Sequence, residues 1–143
     1  TYIDNYFARY RGVQAYMQAT IEAARESGRT STLLGRIRHL PDIDSRNRNQ
    51  RQFAERMAIN TPIQGTAADL IKLAMIRMDE ALAQAGLRAA MLLSVHDEIV
   101  FEAPPEELPK LERLATEVME SVWELDVPLK VNIDSGENWA QAH

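Results

Sequence analysis

Val95-His96-Asp97-Glu98 places an imidazole and two carboxylates on consecutive residues between two short apolar runs, Met91-Leu92-Leu93-Ser94 and Ile99-Val100-Phe101-Glu102. Runs of β-formers around a polar break read as the strands of a hairpin, expected over residues 89–103 with Asp97 at its tip. Charged groups are costly to bury unless something pairs with them, and a divalent cation suits paired carboxylates well. Hard oxygen donors in a chain without Cys favour Mg²⁺ or Mn²⁺ over zinc. The tetrapeptide alone fits a solvated hairpin turn equally well.

A second constellation precedes it. Arg36, Arg38, Arg46, Arg48, Arg51 and Arg56 fall within one short stretch, with His39 and several Asn and Gln among them. Such guanidinium groups can line a groove for a nucleic-acid backbone, and they can equally form a solvated charged face balanced by Asp42, Asp44 and Glu55. Arg56, Asn60 and Gln64 stand four apart and share one stripe if the helices on either side of Pro62 are nearly continuous. Gln and Asn there can meet the acceptors that every base pair shows in a minor groove, which checks duplex shape without reading sequence. Gly65-Thr66-Ala67-Ala68 keeps that surface low.

The elements that must position these groups follow from periodicity. Ile3, Tyr6, Phe7, Tyr10, Val13, Met17, Ile21 and Ala24 predict one amphipathic helix over 2–27 stopped by Gly28, its aromatic residues in the core. Residues 30–40 predict a hairpin with Gly35 near the turn and Pro41 ending it. A helix over about 48–59 carries Phe53, Met57 and Ala58 inward. Thr61-Pro62 reads as a capped helix start, and Ile63, Ala67, Leu70, Ala74, Met78 and Leu82 as one apolar stripe ending at Gly86. After Pro104, Pro105 and Pro109, a helix carries Leu111, Leu114, Ala115, Val118 and Val122 on one side. Residues 128–134 predict a last strand, paired with the 89–103 hairpin. The pattern is α+β, with about three strands packed against helices.

Composition sets the outer bounds. The chain has 143 residues, one domain's worth, and 45% hydrophobic content. No apolar run reaches the ~18 residues of a membrane span, no signal peptide is visible, and no disulfide is available. The net charge of −5 conceals +4 over residues 1–60, where every base is Arg, and −9 over the remainder. Arg grips phosphates and base edges with a planar fork, so a basic half of this kind points to a polyanionic partner. The chain begins with Thr inside a helical pattern, which suggests a piece of a longer protein.

Four segments together resemble the family A DNA polymerases. Thr32-Leu33-Leu34-Gly35-Arg36-Ile37-Arg38 with Leu40-Pro41-Asp42-Ile43 looks like one family motif, and the run from Arg51 to Lys72 looks like the next. Val95-His96-Asp97-Glu98 is similar to the hairpin motif that bears a catalytic Asp, and Ser135-Gly136-Glu137-Asn138-Trp139 to the C-terminal end. The resemblance runs from residue 4 to residue 143 in the family's order. It departs at Ile37, which is Arg in some relatives, and at Ser94, where relatives have Gln.

The resemblance implies an incomplete polymerase domain. About 1–60 would be the last fingers helices and an Arg-rich hairpin, and about 61–143 a palm with the catalytic hairpin. It implies that Asp97 is a metal ligand, with Glu98 as the secondary acid, in a site of two Mg²⁺ ions for which Mn²⁺ can substitute. His96 would lie near the primer terminus. Arg56, Asn60 and Gln64 would touch template and primer, and Arg36 and Arg38 the duplex backbone. Expected partners are primer-template DNA, dNTP and the remainder of the polymerase chain, in a cytoplasmic, nucleoid-associated setting without a membrane. The family's second catalytic Asp and its nucleotide-binding helix lie outside these residues, so the fragment alone is expected to be inactive. The alternatives are a non-catalytic DNA-binding fragment and part of a single-subunit RNA polymerase.

Overall fold

A computed structural model describes residues 2–142, and they form an α+β arrangement. The chain resolves into two compact units, one up to Asp69 and one from Leu70 onward.

The first unit opens with helices α1 (Tyr2–Arg9) and α2 (Arg11–Ser27). The single helix expected over 2–27 is interrupted at Tyr10, whose φ of −115° and ψ of 62° lie outside the helical region. Gly12 just beyond weakens helix continuity by roughly 1 kcal/mol relative to Ala. Gly28 stops α2 as expected: its φ of 67° is left-handed, and its N–H donates to the Ala24 carbonyl at 2.8 Å. The aromatic stripe is not core. Tyr2, Tyr6, Tyr10 and Tyr16 are exposed, and Ala24 is the buried residue of α2. Periodicity marks which face is apolar and is silent on what lies against it.

Strands β1 (Arg29–Ser31) and β2 (Ile37–His39) pair antiparallel, Thr30 opposite Arg38. Gly35, with φ of 89°, completes the connecting loop. Helix α3 (Arg48–Asn60) starts where the Asn47 side chain accepts from the Asn49 N–H at 2.9 Å. Ala54 and Ala58 are its buried residues and pack with Ala24, Leu40 and Ile43, with Met57 partly buried beside them. Phe53, expected inward, is 56% exposed.

Thr61-Pro62 does not start a helix. The helical path continues through a π turn (Thr61–Gly65) into α4 (Thr66–Ala85), within which the border between the units falls. Pro62 has no N–H to give the Ala58 carbonyl and its ring crowds that oxygen, so the helix widens to accommodate it. The extra residue shifts the buried stripe, which runs Ala54, Ala58, Thr61, Thr66 and Asp69. Ile63 and Ala67, expected inward, are consequently exposed.

In the second unit, Ala74, Met78 and Leu82 of α4 are buried as expected. Strands β3 (Ala90–Val95) and β4 (Glu98–Glu102) form an antiparallel hairpin. After a short 3₁₀ turn (Pro105–Glu107), α5 (Leu108–Glu120) turns Leu111 and Ala115 into a core with Met78, Leu82 and Ala89, against which Phe101, Leu114 and Val118 pack. The Glu107 carboxylate accepts the N–H groups of Arg88 and Ala89 at 2.9 and 3.1 Å, tying the entry to β3 onto that turn.

The last strand expected over 128–134 does not form, so the hairpin has no third strand from this segment. Pro128 lacks a ladder donor. The Val131 N–H donates to a Glu120 carboxylate oxygen at 3.2 Å, and Lys130 Nζ lies 3.2 Å from the other. The two hairpins are separate two-stranded sheets.

Candidate catalytic hairpin and nucleic-acid face

His96 and Asp97 are the two loop residues between β3 and β4, and Val95 pairs with Glu98 across the turn. All three polar residues, His96, Asp97 and Glu98, are exposed. The loop is tight enough to force His96 to a φ of 55°, the one positive φ at a non-glycine position among the described residues. A positive φ at the first loop position alone has the sign pattern of a type II′ turn, whose preferred occupant there is Gly. A strained backbone bearing an imidazole beside two carboxylates is the kind of outlier that collects at functional sites.

Leu92 is an extra residue in β3: Met91 pairs with Phe101 and Leu93 with Val100. Such a bulge reverses the alternation of faces along its strand. Ser94 therefore lies on the face of Ile99 and Phe101, while Glu98 shares the other face with Val95 and Val100. The bulge left no sequence signal, since Met91-Leu92-Leu93 is uniformly apolar.

As a metal site the tip is incomplete. Among the described residues no three His, Cys, Asp or Glu side chains are grouped so as to hold an ion. Asp97 offers hard oxygen donors to solvent, which suits one edge of a Mg²⁺ shell and does not enclose the ion.

Arg56, Asn60 and Gln64 are all exposed along the uninterrupted helical course from α3 into the π turn. The Arg56 guanidinium lies 5.9 Å from the centroid of the exposed Phe53 ring, within the range of a cation–π contact. Arg38 is exposed on β2. Arg36 is engaged within its own unit: Nε donates to Asp69 Oδ1 at 2.7 Å and a terminal nitrogen to the Gly65 carbonyl at 3.2 Å.

The β1–β2 hairpin holds the π turn at several further points. Thr30 Oγ1 donates to the Ala58 carbonyl at 3.3 Å, supplying the donor that Pro62 lacks. The Leu33 N–H donates to Thr66 Oγ1 at 2.9 Å, and that hydroxyl donates in turn to the Pro62 carbonyl. Sequence reasoning missed Thr30, Thr66 and Asp69 because each meets a partner 28 or 33 residues away in the chain.

The chain belongs to DNA polymerase family A, whose model matches residues 1–141. That match removes the single-subunit RNA polymerase alternative. The chain is 52% identical over 142 residues to DNA polymerase I of Mycobacterium tuberculosis and 52% identical over 141 residues to DNA polymerase I of Bacillus subtilis. Each alignment covers 99% of this chain and 16% of the relative, so the chain spans about a sixth of the length of these proteins. A solved structure, the polymerase domain of Pol1 from M. smegmatis in complex with DNA primer-template and dNTP, superposes with a TM-score of 0.95 at 49% identity. It is matched over 98% of this chain and 25% of that one. No described helix is long and apolar enough to cross a membrane.

Proposed function

We propose that this chain is the C-terminal part of a family A polymerase domain, in an enzyme that transfers nucleotides from dNTP to a primer 3′-hydroxyl on a DNA template. The observation that carries the reading is the strained, solvent-facing His96-Asp97-Glu98 tip within a chain that matches a DNA-bound polymerase domain over nearly its whole length. A cytoplasmic, DNA-associated setting goes with it.

In this reading Asp97 offers a carboxylate to a divalent ion, and Glu98 is the secondary acid beside it. Mg²⁺ fits the donor chemistry, but these residues do not make a whole shell, and further oxygen ligands must come from elsewhere in the enzyme. His96 is held at the tip, where a primer terminus would approach. Arg56 supplies charge to the DNA backbone, Asn60 and Gln64 supply hydrogen bonds to groove acceptors, and Arg38 adds positive charge nearby. Arg36 contributes charge as well, while its hydrogen bonds serve the helix.

The test is Asp97→Ala in the polymerase that carries this sequence. Turnover should fall on the order of 10²–10³-fold or more, while primer-template binding is retained, because charge stabilisation acts on the transition state. Glu98→Ala should cost less. Equal losses, or a larger loss at Glu98, would reverse the two roles. The 143-residue chain by itself should not extend a primer.

A further inference from the structure

The face bearing Asn60 and Gln64 includes a π turn, and a π turn is an unfavourable way for a helix to run unless something holds it. The β1–β2 loop supplies that hold. The Arg36 guanidinium bridges two acceptors, the Asp69 carboxylate at 2.7 Å and the Gly65 carbonyl at 3.2 Å. Its backbone N–H also donates to Thr32 Oγ1 at 3.1 Å, so the loop that bears Arg36 is itself fixed. Asp69 is buried, and a carboxylate kept from water needs a charged or hydrogen-bonding partner.

The loop also sits against the turn sterically. A Cβ added at Gly65 would meet Thr32 Cγ2 at 2.7 Å, closer than side-chain carbons approach. Gly65 has an ordinary negative φ, so its lack of a side chain is explained by this contact and not by backbone conformation. Gln64 is the residue immediately before it.

We propose that Arg36 and Asp69 are a positioning pair for template-directed synthesis: clamped onto the Gly65 carbonyl, they fix the π turn and thereby aim Gln64 at the terminal base pair. The proposal rests on the reading of Gln64 as a duplex contact. Arg36 acts here through Gln64 and touches no reacting atom. Lys cannot replace it, since a single ammonium on a flexible stem does not span a carboxylate and a carbonyl as a planar fork does.

The experiment uses the polymerase that carries this sequence and reads extension from a mismatched primer terminus relative to a matched one. Gln64→Ala should slow mismatched extension about five-fold relative to matched, the equivalent of one lost hydrogen bond. Arg36→Ala should do the same, Arg36→Lys should not rescue it, and Arg36→Ala combined with Gln64→Ala should be no worse than Gln64→Ala. Gly65→Ala should reproduce the slowing and Thr32→Ser should relieve it, because Ser keeps the hydroxyl that accepts from Arg36 and removes the methyl in the way. A purely structural brace would lower the melting temperature of the Arg36 variants and leave the ratio unmoved, and that result overturns the proposal. So does full rescue by Lys, or additive losses in the double variant. If Gln64→Ala itself leaves the ratio unchanged, the duplex-contact reading has failed on its own arm, and the positioning role falls with it.

Discussion

His96→Gly is expected to make the β3–β4 hairpin more stable and, on the proposed function, the polymerase that carries it slower. His96 is held at a φ of 55° in a two-residue loop. A non-glycine residue in such a region stores roughly 1–3 kcal/mol of strain. Gly adopts positive φ freely, but it has more conformational freedom to lose from the unfolded chain, about 0.5–1 kcal/mol. The difference leaves a net gain on the order of 1 kcal/mol in the free energy of opening the hairpin. Hydrogen exchange followed over residues 90–102 should then slow about five-fold. His96→Ala is the control, because it removes the imidazole and keeps the strained backbone, so it should bring no such gain. Both variants should lose turnover, since both lack the ring. Equal protection in the Gly and Ala variants, or faster exchange in the Gly variant, would refute the strain reasoning. Full turnover in both would remove any role for the imidazole.

Met78 is fully buried in the core of the second unit, so Met78→Ala should cost about 2–5 kcal/mol, read as a fall in denaturation midpoint. The Glu120 carboxyl is held below the usual Glu range, first by the Val131 N–H and then by Lys130. The stability it contributes is therefore complete above about pH 4.3 and is lost as pH falls through its lower folded-state value. Exchange or proteolysis within residues 128–134 should accelerate in that acid window in the native protein, and Glu120→Gln should abolish the dependence. Arg56→Ala should weaken primer-template binding across all sequences and reduce the salt slope by about one, measured by titration at several ionic strengths.

Much of this was legible in the sequence, and the particular misses share a cause. Gly28 and the Leu111–Ala115 face behave as their local patterns imply, because a helix stop and an amphipathic stripe are set by residues within one or two turns. The tip position of Asp97 was legible for the same reason, two apolar runs closing on a polar break. The α1–α2 aromatic face was not, because periodicity shows that a face is apolar without showing what packs on it. The strand expected over 128–134 was lost to the Glu120 carboxylate, which takes the Val131 N–H that a ladder would need.

Thr61-Pro62 shows where local reasoning stops. A hydroxyl residue followed by Pro is the signature of a helix start, since Pro fits the first turn, where its missing N–H costs nothing. The same dipeptide inside a helix must leave one carbonyl without its normal donor, here that of Ala58. Whether the chain breaks or continues then depends on whether another donor reaches that oxygen. Thr30 does, from a strand 28 residues earlier in the chain. The hairpin around Arg36 holds the widened turn from its other side. The helix therefore runs on, Arg56, Asn60 and Gln64 stay exposed along one continuous course, and the Thr61 hydroxyl ends up buried without the capping bond its sequence context suggests. A site arranged in this way is specified by pairs of residues far apart in sequence, and a substitution at Thr30 or Arg36 reaches Gln64 without touching it.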